Sequence, residues 1–525
     1  MDSFPVDWAN YRTELEFYPQ QAVMRNFIYP YYCMPDQKTV SHMDTLFKRF
    51  PRTFWVANTL ELFERWAWYG LFNVLAIYLT ASTDTGALGF SQEQKGNMMG
   101  IVTAILYFLP VITGSIADKL GYKKVLLLSF GITSSGYLLM GHLTNYSAVF
   151  AVFFYIAIGG AFFKPVISAT IAKTTDSKNS SIGFGIFYMM VNIGALIGPF
   201  VASKLREISW NYVFYLSAGI ILLNLLLVTV FYKEPNREKS DEKLGKAVLQ
   251  ALTNVLTALR DMKFLTFLVL IIGFWAMYFQ LFYTLPVFID QWMDTTQLYQ
   301  WMYGISPRLA AIFGTEQGTV NPEMLVNIDA FYIVLFQILV SGLVMKLKPL
   351  NAMIVGIFVA SFGIGATFIF SNPFFLFVSL LVFSFGEMAS SPKITEYIGR
   401  IAPSDKVGLY MGCSFLPMSG GNFLAGILSG KVYGHMSDKI YLVQQELSKR
   451  SISFPDISSG FTQNDLLQFA AGKLNMTQNE LTQYLWDTYH PSNVWYVFTA
   501  IGVATAVLLF VFDRLALKSK TRVGS

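Results

Sequence analysis

The sequence predicts an all-α polytopic membrane protein of about twelve spans, and three observations predict it. The chain of 525 residues is 54% hydrophobic and only 14% charged, whereas soluble proteins carry about 25% charged residues. Apolar runs of roughly 20 residues, the length that crosses the hydrocarbon core as a helix, recur along most of the chain. Lys and Arg gather in alternate connections between those runs, the asymmetry that orients membrane proteins.

In chain order, residues 1–52 lack the basic start, apolar run and small-residue cleavage site of a signal peptide. They read as a cytoplasmic extension, within which Met43 opens a segment that would itself serve as a start. Apolar runs follow at 54–82, 97–116, 124–142, 146–172, 181–204 and 210–232, a first group of six within 53–232. The stretch 233–262 begins with the charged KEPNREKSDEK and continues as the amphipathic LGKAVLQALTNVLTALRD. It reads as a linker carrying a lateral helix on the inner face. Six more runs, 263–290, 326–346, 351–371, 373–400, 407–434 and 492–514, make a second group within 263–514, ahead of a tail at 515–525. Two connections in it are long. The one at 291–325 is rich in Gly, Pro and Trp, and the one at 435–491 holds two Thr-Gln-Asn-acid-Leu starts. There Thr462 and Thr477 are placed to cap short helices, giving a small helical cap outside the membrane.

Connections after even-numbered runs hold Lys119, Lys123, Lys124, Lys173, Lys178, Lys233, Arg237, Lys346, Lys348 and Lys406. The short ones after odd-numbered runs hold little beyond Lys95, Lys204, Arg206 and Arg308. By the positive-inside rule both termini are expected in the cytoplasm. This topology accounts for the net charge of +5, so nucleic acid is not expected as a partner. Cys33 and Cys413 offer no disulfide framework, and His42, His142, His435 and His490 are scattered, which leaves no metal-ligand spacing. No nucleophile, base and orienting group cluster and no phosphate loop is present, so neither an enzyme nor a cofactor is expected.

The first run contains Glu61, Glu64 and Arg65. An ionised group near the bilayer centre costs at least roughly 2.5–3.5 kcal/mol on insertion scales, so these three must face water or one another. Their i, i+3 and i+4 spacing shares one helix face, with Glu61 and Arg65 placed to pair, Trp68 extending the face and Tyr69 at its edge. One reading is a paired cluster that only locks helices together; the other is a working site in a wet cavity. Lys164 in the fourth run and Glu387 in the tenth favour the second, since neither has an obvious partner at its depth in its own run. Pro165 follows Lys164 and frees a backbone carbonyl, as proline does in membrane helices bordering cavities. A carboxylate beside a movable cation loads a proton when an anionic solute draws the cation away, and releases it when the cation returns.

Between the second and third runs lies Gly114-Ser-Ile-Ala-Asp118-Lys-Leu-Gly121-Tyr-Lys123-Lys124. It reads either as a topogenic basic loop or as a charged latch between rocking halves. At this place in a twelve-span chain it resembles the signature loop of the major facilitator superfamily, which implies two six-helix bundles around a central cavity and alternating access.

Glu61-Leu-Phe-Glu64-Arg65-Trp66-Ala67-Trp68-Tyr69-Gly70 resembles the Glu-x-x-Glu-Arg-Phe-x-Tyr-Tyr-Gly motif of the proton-dependent oligopeptide transporter (POT) family. Phe187-Tyr188-Met-Met-Val-Asn192-Ile-Gly194 resembles its fifth-helix motif, and Lys164-Pro165-Val166 the end of its fourth-helix motif. Tyr107, Trp275 with Gln280, and Gly386-Glu387 with Ser391-Pro392 resemble parts of its second-, seventh- and tenth-helix motifs, so the likeness runs in order over about 54–434. The resemblance implies that Glu61, Glu64 and Arg65 couple protons. It also implies that Lys164 contacts a substrate carboxylate and closes one gate by pairing with Glu387, and that Tyr69, Tyr107 and Asn192 line the peptide site with Trp275 and Gln280 nearby. The signature loop would supply Gly114, Asp118, Gly121, Lys123 and Lys124 as the latch.

Departures from the family pattern bear on the cargo. Phe72 stands where the family has a second cavity arginine, and Phe279 where it has an acid before Gln280. Losing both avoids an orphaned buried charge and looks like an aromatic gate in place of a polar one. Bulk at Phe162 and Phe163 replaces glycine, and Asp329 stands near an expected asparagine, where it either attracts a substrate amine or merely ends a helix. The expectation is a monomeric proton symporter of a cell membrane, importing di- or tripeptides or peptide-like solutes without a cofactor, its partners being protons, a small-molecule substrate and the bilayer. The altered pocket leaves another organic solute open, and the retained triad weighs against a receptor-like protein that has lost transport.

Overall fold

The computed structural model describes residues 50–176, 179–235, 244–366, 372–404, 406–458 and 460–523. The extension before residue 50, part of the linker and the last residues of the ninth run lie outside the described residues. All twelve predicted runs are helical where described. Among the described residues, eight helices are long and apolar enough to cross a membrane, and a pair bent by 46° makes a ninth if it is one span. The other three segments carry the Glu61, Glu64 and Arg65 cluster, open on two lysines, or are cut into short pieces.

The first group comprises α1 (Arg52–Thr80), α2 (Gln92–Phe108), α3 (Pro110–Leu120), α4 (Tyr122–Met140), α5 (Tyr146–Lys173), α6 (Ser180–Ile208) and α7 (Trp210–Phe231). The second span bends between α2 and α3 because Pro110 has no N–H to continue the ladder. Gly121 ends α3 at φ 104°, a left-handed conformation that a side chain would strain, and α4 starts at the next residue. Pro165 lies inside α5, and the Ala161 carbonyl that it cannot satisfy accepts from Thr113 Oγ1 of α3 at 2.7 Å. Gly194 of α6 lets two backbones touch, since a Cβ there would lie 2.5 Å from the Leu62 carbonyl of α1.

After α8 (Leu244–Leu259), the seventh run is not one rod. It divides into α9 (Met262–Tyr278), α10 (Gln280–Tyr283) and α11 (Leu285–Trp292). The predicted loop 291–325 contains α12 (Thr296–Ile305), α13 (Pro307–Phe313) and α14 (Pro322–Val326), the last leading at Asn327 into α15 (Ile328–Val344). The eighth span therefore starts earlier than its apolar run suggests, opening on Pro322 and Glu323. α16 (Pro349–Ala366) and α17 (Pro373–Ile401) follow. The eleventh span is α18 (Val407–Gly412), α19 (Leu416–Ile427), a π turn at Leu428–Val432 and α20 (Tyr433–Met436).

The cap holds three helices, α21 (Lys439–Lys449), α22 (Gln463–Lys473) and α23 (Gln478–Tyr489), before α24 (Val494–Val523). Thr462 and Thr477 form capping boxes with Asp465 and Glu480, as their spacing predicts. α1 packs on α6 and α7, α4 on α5 and α7, α16 on α17 and α24, and α9 on α19 and α24. The two groups meet chiefly where α2 crosses α19. There Gly96 and Gly100 face Gly426 and Gly430, and a Cβ on Gly100 would come within 2.8 Å of Gly426 Cα.

Candidate functional site

A cavity of about 790 Å³ opens toward the basic loop between α3 and α4. Glu61, Arg65, Tyr69, Tyr107 and Lys164 line it, and Asp118 and Lys119 stand at its mouth with Gln250 and Asn254 of α8. The lateral helix thus turns an amide face inward, while Leu249 and Leu256 are exposed on its other side.

α1 positions the charged triad, and all three residues are at most 6% exposed. Arg65 Nε donates to Glu64 Oε2 at 2.6 Å, and its Nη2 pairs with the same carboxylate. Glu61 Oε1 lies farther off, 3.5 Å from Arg65 Nε. Helical spacing favours the Glu61 partner, but the long arginine side chain folds against its neighbour instead. Glu61 and Arg65 line the cavity, whereas Glu64 does not. Glu64 therefore anchors the cation, and Glu61 presents the looser carboxylate to water. The Arg65 guanidinium also sits 5.8 Å from the Tyr69 ring centre.

Lys164 lies on α5 beside the Pro165 break with its Nζ 4.8 Å above the Tyr107 ring centre. It makes no ion pair with Glu387 within 4 Å, so the gate pair implied by the resemblance is not formed in this conformation. Glu387 is buried on α17, close to Asp329 of α15, and neither lines the cavity. Ser384 donates to Asp329 Oδ1 at 2.5 Å. Asn192 donates to the Tyr188 carbonyl at 2.8 Å, and its helix lines the cavity through Phe187 and Val191 instead.

Trp275 and Gln280 do not line the cavity either. Trp275 stacks on Phe279 with ring centres 5.7 Å apart. Gln280 is fully buried at the break in the seventh span, donating to Ala276 O at 2.9 Å and accepting from Thr284 Oγ1 at 2.5 Å. The polar side chain that family likeness places in the pocket here completes a broken helix.

Phe72 and Phe279 belong to an aromatic layer above the cavity. Their ring centres lie 6.1 and 6.4 Å from that of Tyr283. Phe72 also meets Phe282 at 5.6 Å, and Phe279 meets Tyr107 at 6.2 Å, so the layer joins α1 and α2 to the seventh span. The Tyr283 hydroxyl donates to Met99 O at 3.0 Å and lies 2.5 Å from Thr103 Oγ1 and 3.0 Å from Asn422 Oδ1.

Beyond that layer the two groups are stapled by contacts that the sequence reading missed. Lys95, assigned to a loop, is fully buried in α2 and donates to Tyr283 O and Gln92 Oε1, each at 2.8 Å. Arg206, also assigned to a loop, ends α6 and reaches Glu323 Oε1 at 2.5 Å and Asn321 Oδ1 at 2.9 Å. Asn327 donates to Leu196 O at 2.9 Å, and Asn464 of the cap donates to Asp84 Oδ2 at 2.8 Å. The available signal was position: Lys95 and Arg206 each sit within one turn of an apolar run, near enough to be drawn into its helix.

On the other side, Asp118 accepts from the Tyr122 hydroxyl at 2.7 Å, and Lys123 donates to Thr229 O at 2.9 Å. Gly114 sits against Pro165, and Lys124 is exposed. These signature-loop contacts tie α3, α4 and α7 together, all within the first group.

The Major Facilitator Superfamily profile matches residues 59–316. Dipeptide and tripeptide permease B of Photorhabdus asymbiotica is 32% identical over 196 residues, which are 37% of this chain and 39% of that one. Over this segment the chain spans about two-fifths of the relative's length. Dipeptide and tripeptide permease B of Shigella dysenteriae is 26% identical over 428 residues, 72% of this chain and 86% of that one. Among solved structures, a peptide transporter POT in complex with sulfate superposes with a TM-score of 0.67 at 16% identity, covering 89% of this chain and 95% of the other. A POT family transporter in complex with 5-aminolevulinic acid gives 0.64 at 18%, covering 88% and 96%. Taken with the order of the motifs along the helices, the chain is similar in sequence to dipeptide and tripeptide permeases and, over residues 59–316, to the Major Facilitator Superfamily, and it shares the fold of the solved POT family transporters.

Proposed function

We propose that this protein is a proton-coupled symporter that imports di- or tripeptides or peptide-like solutes by alternating access. The observation that carries this reading is the sharing of one cavity by Glu61, Arg65 and Lys164, with Glu64 holding Arg65 from behind. Lys164 is the cation for a substrate carboxylate, and Glu61 is the carboxylate that loads a proton as Arg65 moves. Tyr69 and Tyr107 supply hydroxyls and ring faces to the solute. The basic-loop side is cytoplasmic, both termini lie there, and the structure is the state open to the cytoplasm and closed outside. The protein works as a monomer, driven by the proton gradient without a cofactor.

Uptake into proteoliposomes tests the reading. Peptide accumulation is expected to rise with an inward proton gradient, and Glu61→Gln is expected to leave exchange while abolishing accumulation. Uptake indifferent both to the gradient and to that substitution would sink the reading.

A second reading, import of a non-peptide organic solute, is favoured by Phe72 and Phe279, which remove a cavity arginine and an acid and close the pocket with rings. A thermal-shift screen of peptides, amino acids, nucleosides and organic acids separates the two. A ligand at 100 times its Kd adds about 2.7 kcal/mol of stability.

A further inference from the structure

The second group of helices contains acids that the mechanism above does not use. Asp329 and Glu387 are 4% and 9% exposed, and they come from different helices, α15 and α17. Among the described residues, Asp329 and Tyr278 are neighbours of the Glu387 carboxyl. Ser384 already donates to Asp329 Oδ1. Glu387 Oε2 is buried without a hydrogen-bond donor. Among the described residues, no Lys, Arg or His forms an ion pair with either acid. The other titratable groups facing the pair, Tyr69 of α1, Tyr188 of α6 and Tyr278 of α9, are neutral phenols at ordinary pH.

Two ionised carboxylates in contact, buried and without a cation, repel each other and lack donors. A single proton resolves both defects. It becomes the missing donor, as an O–H on one acid pointing at an oxygen of the other, and leaves one negative charge for Ser384 and Tyr278 to solvate. We propose that Asp329 and Glu387 form a second proton-binding site, a carboxyl pair holding one shared proton in the empty protein. The chain then carries a proton centre in each group of helices, Glu61 with Arg65 in the first and the acid pair in the second. A contribution to coupling rests on the proton-driven reading above, but the proton itself is measurable without transport.

Infrared difference spectroscopy on the full chain in nanodiscs, with no solute, provides the test. At neutral pH the wild-type protein is expected to show the carbonyl stretch of a protonated carboxyl that shifts in D2O and on 13C-carboxyl labelling of Asp or Glu. Asp329→Asn and Glu387→Gln are each expected to remove that band, and Glu61→Gln to retain it. Persistence of the band in both pair variants, or its loss in Glu61→Gln, overturns the proposal. So does a labelled wild-type protein without the band, a result that needs no variant to fold. Failed peptide uptake in a protein that shows the band would count against the proposed function alone.

Discussion

Arg65 lies closer to Glu64 than to Glu61, and that asymmetry separates the two acids by role. Removing one partner of a buried ion pair costs about 3–5 kcal/mol, because the other charge is left unpaired. Glu64→Ala should therefore lower thermal stability by an amount of that order, and Glu61→Ala by clearly less. Melting of the purified variants checks the order; equal losses would place both acids in one structural cluster. The triad itself was legible in the sequence, since three charges in an apolar run demand an explanation. Which acid holds the arginine was not, because helix spacing describes where side chains start and not how a long one folds. The same limit explains Gln280, whose family position was readable while its use inside a helix break was not.

Breaks and bends set the architecture of individual elements. Thr113 supplies the hydrogen bond that Pro165 denies to the Ala161 carbonyl. Thr113→Val should cost about 1–3 kcal/mol, the penalty of a buried unsatisfied acceptor. Pro165→Ala should rescue much of that loss by restoring an N–H within α5, and a double-mutant thermal cycle would reveal the coupling. In the cap, burial works against the charged form of Glu446, but hydrogen bonds from Tyr489, Tyr484 and Arg450 outweigh it and hold the carboxyl below its ordinary range. An acid depressed in this way stabilises the fold above its unfolded value, about 4.3, and that stability disappears as pH falls through the folded value. Hydrogen-exchange protection factors in α21 and α23, taken relative to the slower intrinsic exchange at low pH, should fall on acidification below about pH 4, and Glu446→Gln should flatten that dependence. Cap helices at Thr462 and Thr477 were readable because a capping box is local chemistry. The divided seventh span was not, because Gln280, Thr284 and Pro286 stand in an otherwise apolar run and only the packing around them reveals the breaks.

The whole molecule is closed on one side by backbone contact at glycine and by polar staples beyond it. Gly100 and Gly426 allow α2 and α19 to touch, and no side chain fits between them. Gly100→Val should keep that side from closing and lower the population open toward the basic loop. Spin-label distances across the rim, between sites near Asp84 and Asn464, would lengthen relative to wild type. That the apolar runs form helices could be read from hydropathy. The closure could not, because Lys95 and Arg206 count as loop charges until a partner from the other group, Tyr283 or Glu323, is in view.

Tyr283 also bears on leakage. Its ring is packed by Phe72 and Phe279, its hydroxyl is engaged by Thr103 and Met99 of one group and Asn422 of the other, and its carbonyl holds Lys95. A gap between the groups at this level would strip the partners of a single residue together. The barrier is therefore expected to yield as a unit and not to thin by degrees, which, on the proposed proton-coupled reading, denies water a continuous thread along which protons could run downhill without cargo.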